Sequence, residues 1–237
     1  MDQTQDDDPR HATLTEALHA RIRQDIILGD LQPATKLKLE PLSRTYGVSV
    51  NTLRETLSRL ASDGLVVAEG QRGFAVLPIS LEDLQDITQM RSLLECHALG
   101  LSISRADLDW ESRVAGAYHK LSRLETLVEE DPARWGDDWE RANQAFHDAL
   151  ISNCGSRWLK LFHRAMYDQS LRYRMLSLEV KTFPRARSAR EHKIIFEAAL
   201  SRDAERAVET LRAHILKGAE QSAVEPGGPA QKPRRRK

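Results

Sequence analysis

"LSRTYGVSVNTLRETLSRLASDGLVVAEGQRGFAV", residues 42–76, sets the architecture of the N-terminal part of the chain. Two short helical segments flank Gly47, which ends the first helix, and Ser49 is the predicted N-cap of the second. The second helix buries an apolar stripe made of Val50, Leu53, Leu57 and Leu60. Two β-rich runs around the segment EGQRG then predict a hairpin. The order helix, helix, hairpin predicts a winged helix-turn-helix.

The outward face of the second helix suits DNA binding. In a helix-turn-helix this helix enters the major groove and reads base edges with residues near its N-terminus. Arg54 can form a bidentate contact with guanine, and Arg72 at the hairpin tip can reach the DNA backbone or the minor groove. The predicted DNA contacts are Ser49, Asn51, Thr52, Arg54, Ser58, Arg72 and Gly73. The alternative, a structural module of three helices with a solvated charged face, leaves the hairpin without a role.

The neighbouring segments complete an N-terminal DNA-binding domain over residues 13–78. Residues 13–28 are predicted to form a helix that starts at Thr13 and ends before Gly29. Its apolar face is made of Leu14, Leu18, Ile22 and Ile26. The segment DLQPATKL, residues 30–37, is predicted to be a turn. Residues 1–12 hold four aspartates and are predicted to be a disordered acidic N-terminus.

From Ser80 onward the predicted structure is helical, which puts the domain boundary at residues 78–80. The first helix starts at Ser80 and carries Leu84, Ile87, Met90 and Leu94 on its apolar side. Five more helices are predicted at about 107–130, 136–153, 156–179, 184–200 and 203–222. The fold class is therefore mainly α, with an all-helical antiparallel bundle over residues 80–222. Residues 223–237 end in a basic run and are predicted to be a disordered tail.

Composition narrows the class of protein. The 237 residues have room for one large domain or two small ones, and 41% hydrophobic with 30% charged residues is typical of a globular protein. No apolar run approaches about 18 residues, and the N-terminus lacks an apolar stretch, so we expect neither a membrane span nor a signal peptide. Cys96 and Cys154 have no paired spacing, which favours reduced thiols and a cytoplasmic protein.

Three histidines in the helical part lie on apolar helix faces. His192 lies about ten residues before the turn near Arg202 and His214 about twelve after it, so an antiparallel helix pair holds both at similar height, facing inward. Asn143 and His147, four residues apart, share one face of another helix. Neutral imidazoles and an oxygen ligand suit a divalent metal. Spacing alone leaves the alternative open, that these are core histidines with satisfied ring nitrogens.

The motifs of the N-terminal part resemble the DNA-binding domain of GntR-type transcriptional regulators. That family combines a Gly-x-x-x-Pro turn with Gly-Val-Ser, Arg-Glu-x-Leu-x-x-Leu, Gly-Leu-Val and a glycine in the wing. The matching residues here are Gly29 and Pro33; Gly47, Val48 and Ser49; Arg54, Glu55, Leu57 and Leu60; Gly64, Leu65 and Val66; and Gly73. Many members carry arginine directly after the serine. This chain has Val50 there, so Arg54 becomes the strongest predicted base contact.

The C-terminal part is similar to the helical effector domain of the FadR subfamily, called FCD. The segments that carry the similarity are MRSLLECHAL (residues 90–99), NQAFHDALISNCGS (143–156) and EHKIIFEAALSRDAERAVETLRAHI (191–215). In the family, the matching histidine positions bind a divalent metal beside a carboxylate effector. The resemblance therefore implies a divalent ion, zinc with nickel or manganese as alternatives. Its implied ligands are Asn143, His147, His192 and His214.

The resemblance also implies a function and partners. An effector carboxylate would bind beside a cation, for which Arg91 matches a recurring family arginine; the further candidates are Arg172, Arg174 and Arg187. We expect a homodimeric repressor of a catabolic operon that binds a double-stranded DNA operator and responds to a small carboxylate. The alternative from another class is a zinc hydrolase. Asp148 and Glu191 adjoin ligand positions and would have to supply its general base, but adjacent residues on a helix point elsewhere.

Overall fold

The computed structural model of the protein describes residues 9–70, 73–179 and 185–222. The predicted disordered tail, residues 1–8 of the predicted disordered N-terminus, and Arg72 lie outside these residues. The chain divides between Ser80 and Leu81 into two compact units. Among the helices of the described ranges, none is both long and apolar enough to cross a lipid bilayer.

The N-terminal unit is a winged helix-turn-helix, as predicted. Its elements are α1 (Pro9–Ile27), β1 (Lys36–Leu37), α2 (Leu39–Tyr46), α3 (Val50–Ser62), β2 (Val66–Ala68) and β3 (Phe74–Val76). Gly47 ends α2 in the left-handed conformation, with a φ of 68°. The Ser49 hydroxyl accepts a hydrogen bond from the Thr52 amide and so caps α3. These two local devices produce the tight turn between α2 and α3.

Parts of this unit differ from the sequence prediction. Helix α1 begins at Pro9, so residues 9–12 are helical rather than disordered. Strand β1 lies in the segment predicted to be a turn, and it pairs with β3 in an antiparallel sheet of order β1-β3-β2. Two residues are too few to show strand periodicity, so only this pairing reveals the strand. Leu14 is 49% exposed, and the apolar face of α1 consists of Leu18, Ile22 and Ile26.

The C-terminal unit is a helical bundle. Its elements are α4 (Leu81–Ser104), α5 (Leu108–Glu130), α6 (Pro132–Leu150), α7 (Arg157–Glu179), α8 (Arg185–Leu200) and α9 (Ala204–Gln221). The side chains of Asp107, Asp131 and Asp203 accept backbone hydrogen bonds at the starts of α5, α6 and α9. Asp131, followed by Pro132, starts α6 four residues before the predicted boundary at 136.

The inner face of α4 is partly polar. The bundle core is otherwise apolar and includes Trp110, Trp139 and Phe146, and both cysteines are free and buried. Met90, predicted on the apolar side of α4, is 44% exposed, whereas Arg91 and Glu95 are buried. Buried ionised side chains need partners inside the fold. Their partners locate the candidate site.

Candidate metal centre and DNA-binding surface

Three histidines from three helices converge inside the C-terminal bundle. His147 lies on α6, His192 on α8 and His214 on α9, and one ligand nitrogen from each lies within 4.8 Å of the others. The ring centroids of His192 and His214 are 4.6 Å apart, and those of His147 and His214 are 5.5 Å apart. The turn between α8 and α9, where Arg202 has a φ of 59°, brings His192 and His214 together. The structure therefore brings together the three predicted histidines.

Each of the three histidines is hydrogen-bonded through Nδ1 to a glutamate, which we call the glutamate behind that histidine. The Nδ1 to carboxylate oxygen distances are 2.7 Å for His147 and Glu95, 2.6 Å for His192 and Glu125, and 2.9 Å for His214 and Glu191. Because an ionised carboxylate can only accept a hydrogen bond, each ring donates from Nδ1, and the neutral form of the ring has its lone pair on Nε2. Such carboxylate partners orient imidazoles and make them better metal ligands.

Sequence reasoning missed the role of these glutamates. Glu95 on α4 and Glu125 on α5 are buried on faces that otherwise pack into the apolar core. A charged residue on a core-facing stripe is seldom buried without a partner, and this is the signal that could have found both. Glu191 also differs from expectation, because it reaches His214 across the helix pair instead of pointing elsewhere.

The protonation states favour metal binding. Burial lowers the pKa of His147 to about 4, although Glu95 acts in the opposite direction. Burial, assisted by the nearby His192, lowers the pKa of His214 to about 3. Burial acts to raise the pKa of Glu191, but hydrogen bonds from His214 and Arg187 outweigh it and lower that pKa to about 2. Near pH 7, His147 and His214 are therefore neutral, which is the form that binds a metal.

These pKa values predict how the stability of the metal-free protein depends on pH. In the unfolded chain His147 and His214 titrate near pH 6.5, whereas in the fold they stay neutral down to about pH 4 and about pH 3. Above pH 6.5 neither state binds these protons, so the contribution is constant. As the pH falls from 6.5 to 5, only the unfolded chain takes them up, which destabilises the fold by roughly 2 kcal/mol per histidine.

Calorimetry of chelator-treated protein between pH 7.5 and pH 5 measures this effect. We expect the melting temperature to fall as the pH falls, and His147→Gln to show a smaller fall than the wild type. The range ends above the usual pKa of glutamate, so the carboxylates behind the histidines contribute little to the change. An equal melting temperature at both ends of the range would contradict buried neutral histidines.

Asn143 brings an oxygen to the same cavity. Its Nδ2 lies 3.0 Å from Tyr167 Oη, and Tyr167 Oη donates to Glu140 Oε1 at 3.0 Å. Because the single Tyr167 proton goes to Glu140, Tyr167 accepts from Asn143, and the amide oxygen Oδ1 faces away from it. Within the described part of the chain, Oδ1 of Asn143 and Nε2 of His192 are buried without hydrogen-bond partners. A set of three imidazoles and one amide oxygen, in which two buried polar atoms have no hydrogen-bond partner, suits a divalent ion.

Two of the four arginines predicted to bind an effector line this cavity. The cavity holds about 500 Å³, its open mouth included, and its lining contains Arg91 and Arg174 with Asn143 and the three histidines. Arg91 donates to Glu95 at 2.8 Å, and Arg174 donates to Glu140 at 2.8 Å. Both arginines also donate to Ser170 Oγ. An acidic ligand beside the histidines would meet two oriented guanidinium groups.

The other two predicted effector residues do not line the cavity. Arg172 is buried and donates to Gln169 at 3.2 Å, and Arg187 donates to Glu191 at 2.9 Å. Arg187 therefore acts on the site indirectly, by holding the glutamate behind His214. The acids considered for a hydrolase are also occupied, since Asp148 forms ion pairs with His163 and Arg164.

The predicted DNA contacts separate into two groups. Asn51, Arg54 and Ser58 lie on the exposed face of α3, and Gly73 has a φ of 93° in the wing. Thr52 is only 8% exposed, and its hydroxyl lies 2.8 Å from Ser49 Oγ, so the side chains of Thr52 and Ser49 form the helix cap. Arg72 lies outside the described residues. Sequence reasoning missed the exposed Lys38 and Arg44, two cations at the ends of α2.

Comparison with known proteins agrees with both units. Residues 14–76 match the family described as bacterial regulatory proteins, gntR family, and residues 86–217 match the FCD domain. The transcriptional regulator BphR of Paraburkholderia xenovorans is 43% identical over 203 residues, 86% of this chain and 82% of the relative. The transcriptional repressor GlaR of Escherichia coli is 34% identical over 198 residues, 82% of this chain and 89% of the relative.

Solved structures agree with the fold. A GntR transcriptional regulator from Rhodococcus sp. RHA1 is similar with a TM-score of 0.71 and 24% identity, over 88% of this chain and 96% of that chain. McbR/YncC of E. coli gives 0.69 and 18% identity, with the same coverage. The relatives are regulators, so nothing supports the hydrolase alternative. The chain therefore belongs to the GntR family of transcriptional regulators, with an FCD domain as its helical unit, as the resemblance predicted.

Proposed function

We propose that the protein is a metabolite-responsive repressor of a catabolic operon that acts as a homodimer in the cytoplasm. Helix α3 binds the operator, with Arg54 as its main base contact, and Lys38 and Arg44 lie where they can attract phosphates. A divalent ion, zinc or alternatively nickel or manganese, is held by His147, His192 and His214, with Asn143 as a fourth ligand. A small carboxylate binds beside it, near Arg91 and Arg174.

The observation that carries this proposal is the set of three glutamate-backed histidines beside two buried arginines. When bound, the ion supplies a positive charge that attracts an anionic ligand. The protein's own residues orient that ligand through guanidinium and serine hydrogen bonds. Release from DNA follows if the acid binds more tightly to a form of the dimer that does not match the operator. The repressor named GlaR, 34% identical, supports repression rather than activation.

Exposed apolar side chains on the packed helices α4 and α7 support the homodimer, and we propose that they form one face. Leu93 is 61% exposed, and Trp158, Leu161 and Phe162 are 54–55% exposed. The two helices are antiparallel, since Glu95 contacts His163 while Arg91 contacts Ser170. The acidic start of α4, with Glu82 and Asp86, therefore lies at the opposite end of the face from Arg157. A two-fold axis through such a face pairs its apolar centre with itself and its acidic end with its basic end.

Selection from random DNA duplexes, followed by gel shift and sedimentation, tests the proposal. We expect the wild type to enrich a site with two related half-sites about one helical turn apart. Phe162→Asp should give monomers and weaken operator binding by roughly 100-fold or more, since the two half-sites are no longer bound together. Leu108→Asp is the control, because Leu108 is 79% exposed at the start of α5 and outside this face. Failure to enrich any site would contradict operator binding. A dimeric Phe162→Asp protein would contradict the proposed dimer face.

A further inference from the structure

The charged side chains around the metal cavity are paired one to one. Arg91 and Arg174 are the charged residues of its described lining, and each contacts one glutamate, Glu95 and Glu140, at 2.8 Å. Neither arginine is therefore left with an unbalanced positive charge. The remaining polar lining consists of serine and threonine hydroxyls, one amide and the three imidazoles.

The glutamates behind the histidines complete the charge balance. Glu95 is balanced by Arg91, and Glu191 is balanced by Arg187 at 2.9 Å. Among the described residues, no arginine or lysine lies within ion-pair distance of Glu125, which contacts only His192 in this way. A divalent ion held by neutral imidazoles therefore leaves the site with a net charge of about +1. One carboxylate neutralises that charge, and a second would leave the partly buried site negative, which is costly.

A second concavity adjoins the cavity and is mostly apolar. It holds about 650 Å³, its open mouth included, between α4 and α9. It shares Leu84, Thr88 and Ala219 with the metal cavity. Its other lining combines the exposed Leu81 and Leu216 with the polar side chains of Gln85, Gln89 and Glu220. Among the described residues of its lining, Glu220 is the charged one, and its carboxylate would repel a second acidic group. Because Leu84, Thr88 and Ala219 border both concavities, an apolar chain that starts at the histidines would enter the groove past these side chains.

We propose that the effector is a monocarboxylic acid with an apolar tail of several carbons. Its carboxylate lies by the histidine cluster and Arg91, and its tail lies in the groove between α4 and α9. This inference rests on the proposed effector site and specifies its ligand, because it excludes dicarboxylic acids with the same chain length as the monocarboxylic acid. Transfer of the apolar tail from water into the groove increases the affinity, and Glu220 disfavours the binding of a second carboxylate.

Isothermal titration of the zinc-loaded full chain with acetate, hexanoate and adipate tests the inference. Hexanoate has four more methylene groups than acetate, and adipate has the length of hexanoate with a second carboxylate. Full burial of four methylenes corresponds to a gain of about 200-fold, so we expect hexanoate to bind at least about tenfold more tightly than acetate. Adipate should bind at least about tenfold more weakly than hexanoate.

Two substitutions on α9 connect these affinities to the groove. Leu216 lines the groove but not the metal cavity, so Leu216→Glu should reduce the affinity for hexanoate to that for acetate, with acetate binding unchanged. Glu220→Lys should bring adipate close to hexanoate. The metal content and the melting temperature of both variants should match those of the wild type, since Leu216 and Glu220 lie outside the metal cavity.

The outcomes separate this inference from the proposed function. Equal or tighter binding of adipate by the wild type, or unchanged hexanoate binding by a folded Leu216→Glu protein, would overturn the apolar-tail inference alone. Failure of all three acids to bind the zinc-loaded wild type would overturn the inference together with the carboxylate site. Because the titrations contain no DNA, they do not depend on the operator or on the mechanism of release.

Discussion

Alanine at His192 or at His214 is expected to reduce the bound divalent ion from about one per chain to a trace. Each substitution removes one of three imidazoles whose ligand nitrogens converge, and leaves two imidazoles and an amide oxygen, too few to close a tetrahedral site. Elemental analysis after mild purification measures the effect. Zinc should also raise the melting temperature of the wild type and not that of the variants, because an ion that binds only the folded state stabilises it.

The chain offers a matched control for this experiment. His163 is as buried as His147, with 1% exposure, and contacts the same Glu95, but it is not part of the cluster. His163→Ala should therefore retain the ion although it leaves a similar void. Glu125→Gln should weaken binding by about 10- to 100-fold, as expected for a group that orients a ligand. Asn143→Asp should tighten binding, since it adds a charge to neutral ligands.

An ion content that is unchanged in both histidine variants would refute the metal site. The alternative of ordinary core histidines predicts no stoichiometric ion in the wild type and only a packing defect in His214→Ala. It also predicts no difference between zinc and chelator in the melting temperature of the wild type. The orientation of the rings favours the metal site, because Nε2 of His192 has no hydrogen-bond partner among the described residues.

Arg54→Ala is expected to abolish operator binding while the fold and the dimer remain intact. Arg54 is exposed on α3, one turn after its start, and its removal leaves no cavity. A bidentate contact to a base contributes about 1–3 kcal/mol per half-site, hence about 2–6 kcal/mol for two half-sites. Gel shift with the selected operator measures this loss, and binding to unrelated DNA should change much less.

Two further variants distinguish base reading from charge. Arg59 is exposed on the last turn of the same helix, so Arg59→Ala removes an equal charge away from the N-terminal end of α3. We expect it to retain most operator affinity. Arg54→Lys retains the charge but not the planar fork and should lose sequence discrimination. Normal affinity and intact discrimination in Arg54→Ala would remove Arg54 from the interface.

The N-terminal fold was largely predictable because its signals are local. Gly47 and Ser49 act within one turn of the chain. Leu53, Leu57 and Leu60 of the predicted stripe are fully buried, whereas Val50, at the start of the stripe, is only partly buried. The proximity of His192 and His214 was also predictable. Two residues at similar distances from the turn between antiparallel helices lie side by side. Strand β1 was not, because a two-residue strand exists only through its partner β3.

The sequence by itself determined the winged helix-turn-helix, the helical bundle and the histidines that face its interior. Only the tertiary structure decided which charged residues join them. Glu95 meets His147 from 52 residues away and Glu125 meets His192 from 67 residues away, and two of the four candidate arginines reach the cavity. Helical periodicity tells which face of a helix is buried, but the neighbour of that face depends on how non-adjacent helices pack. The charge of the site is a property of that packing.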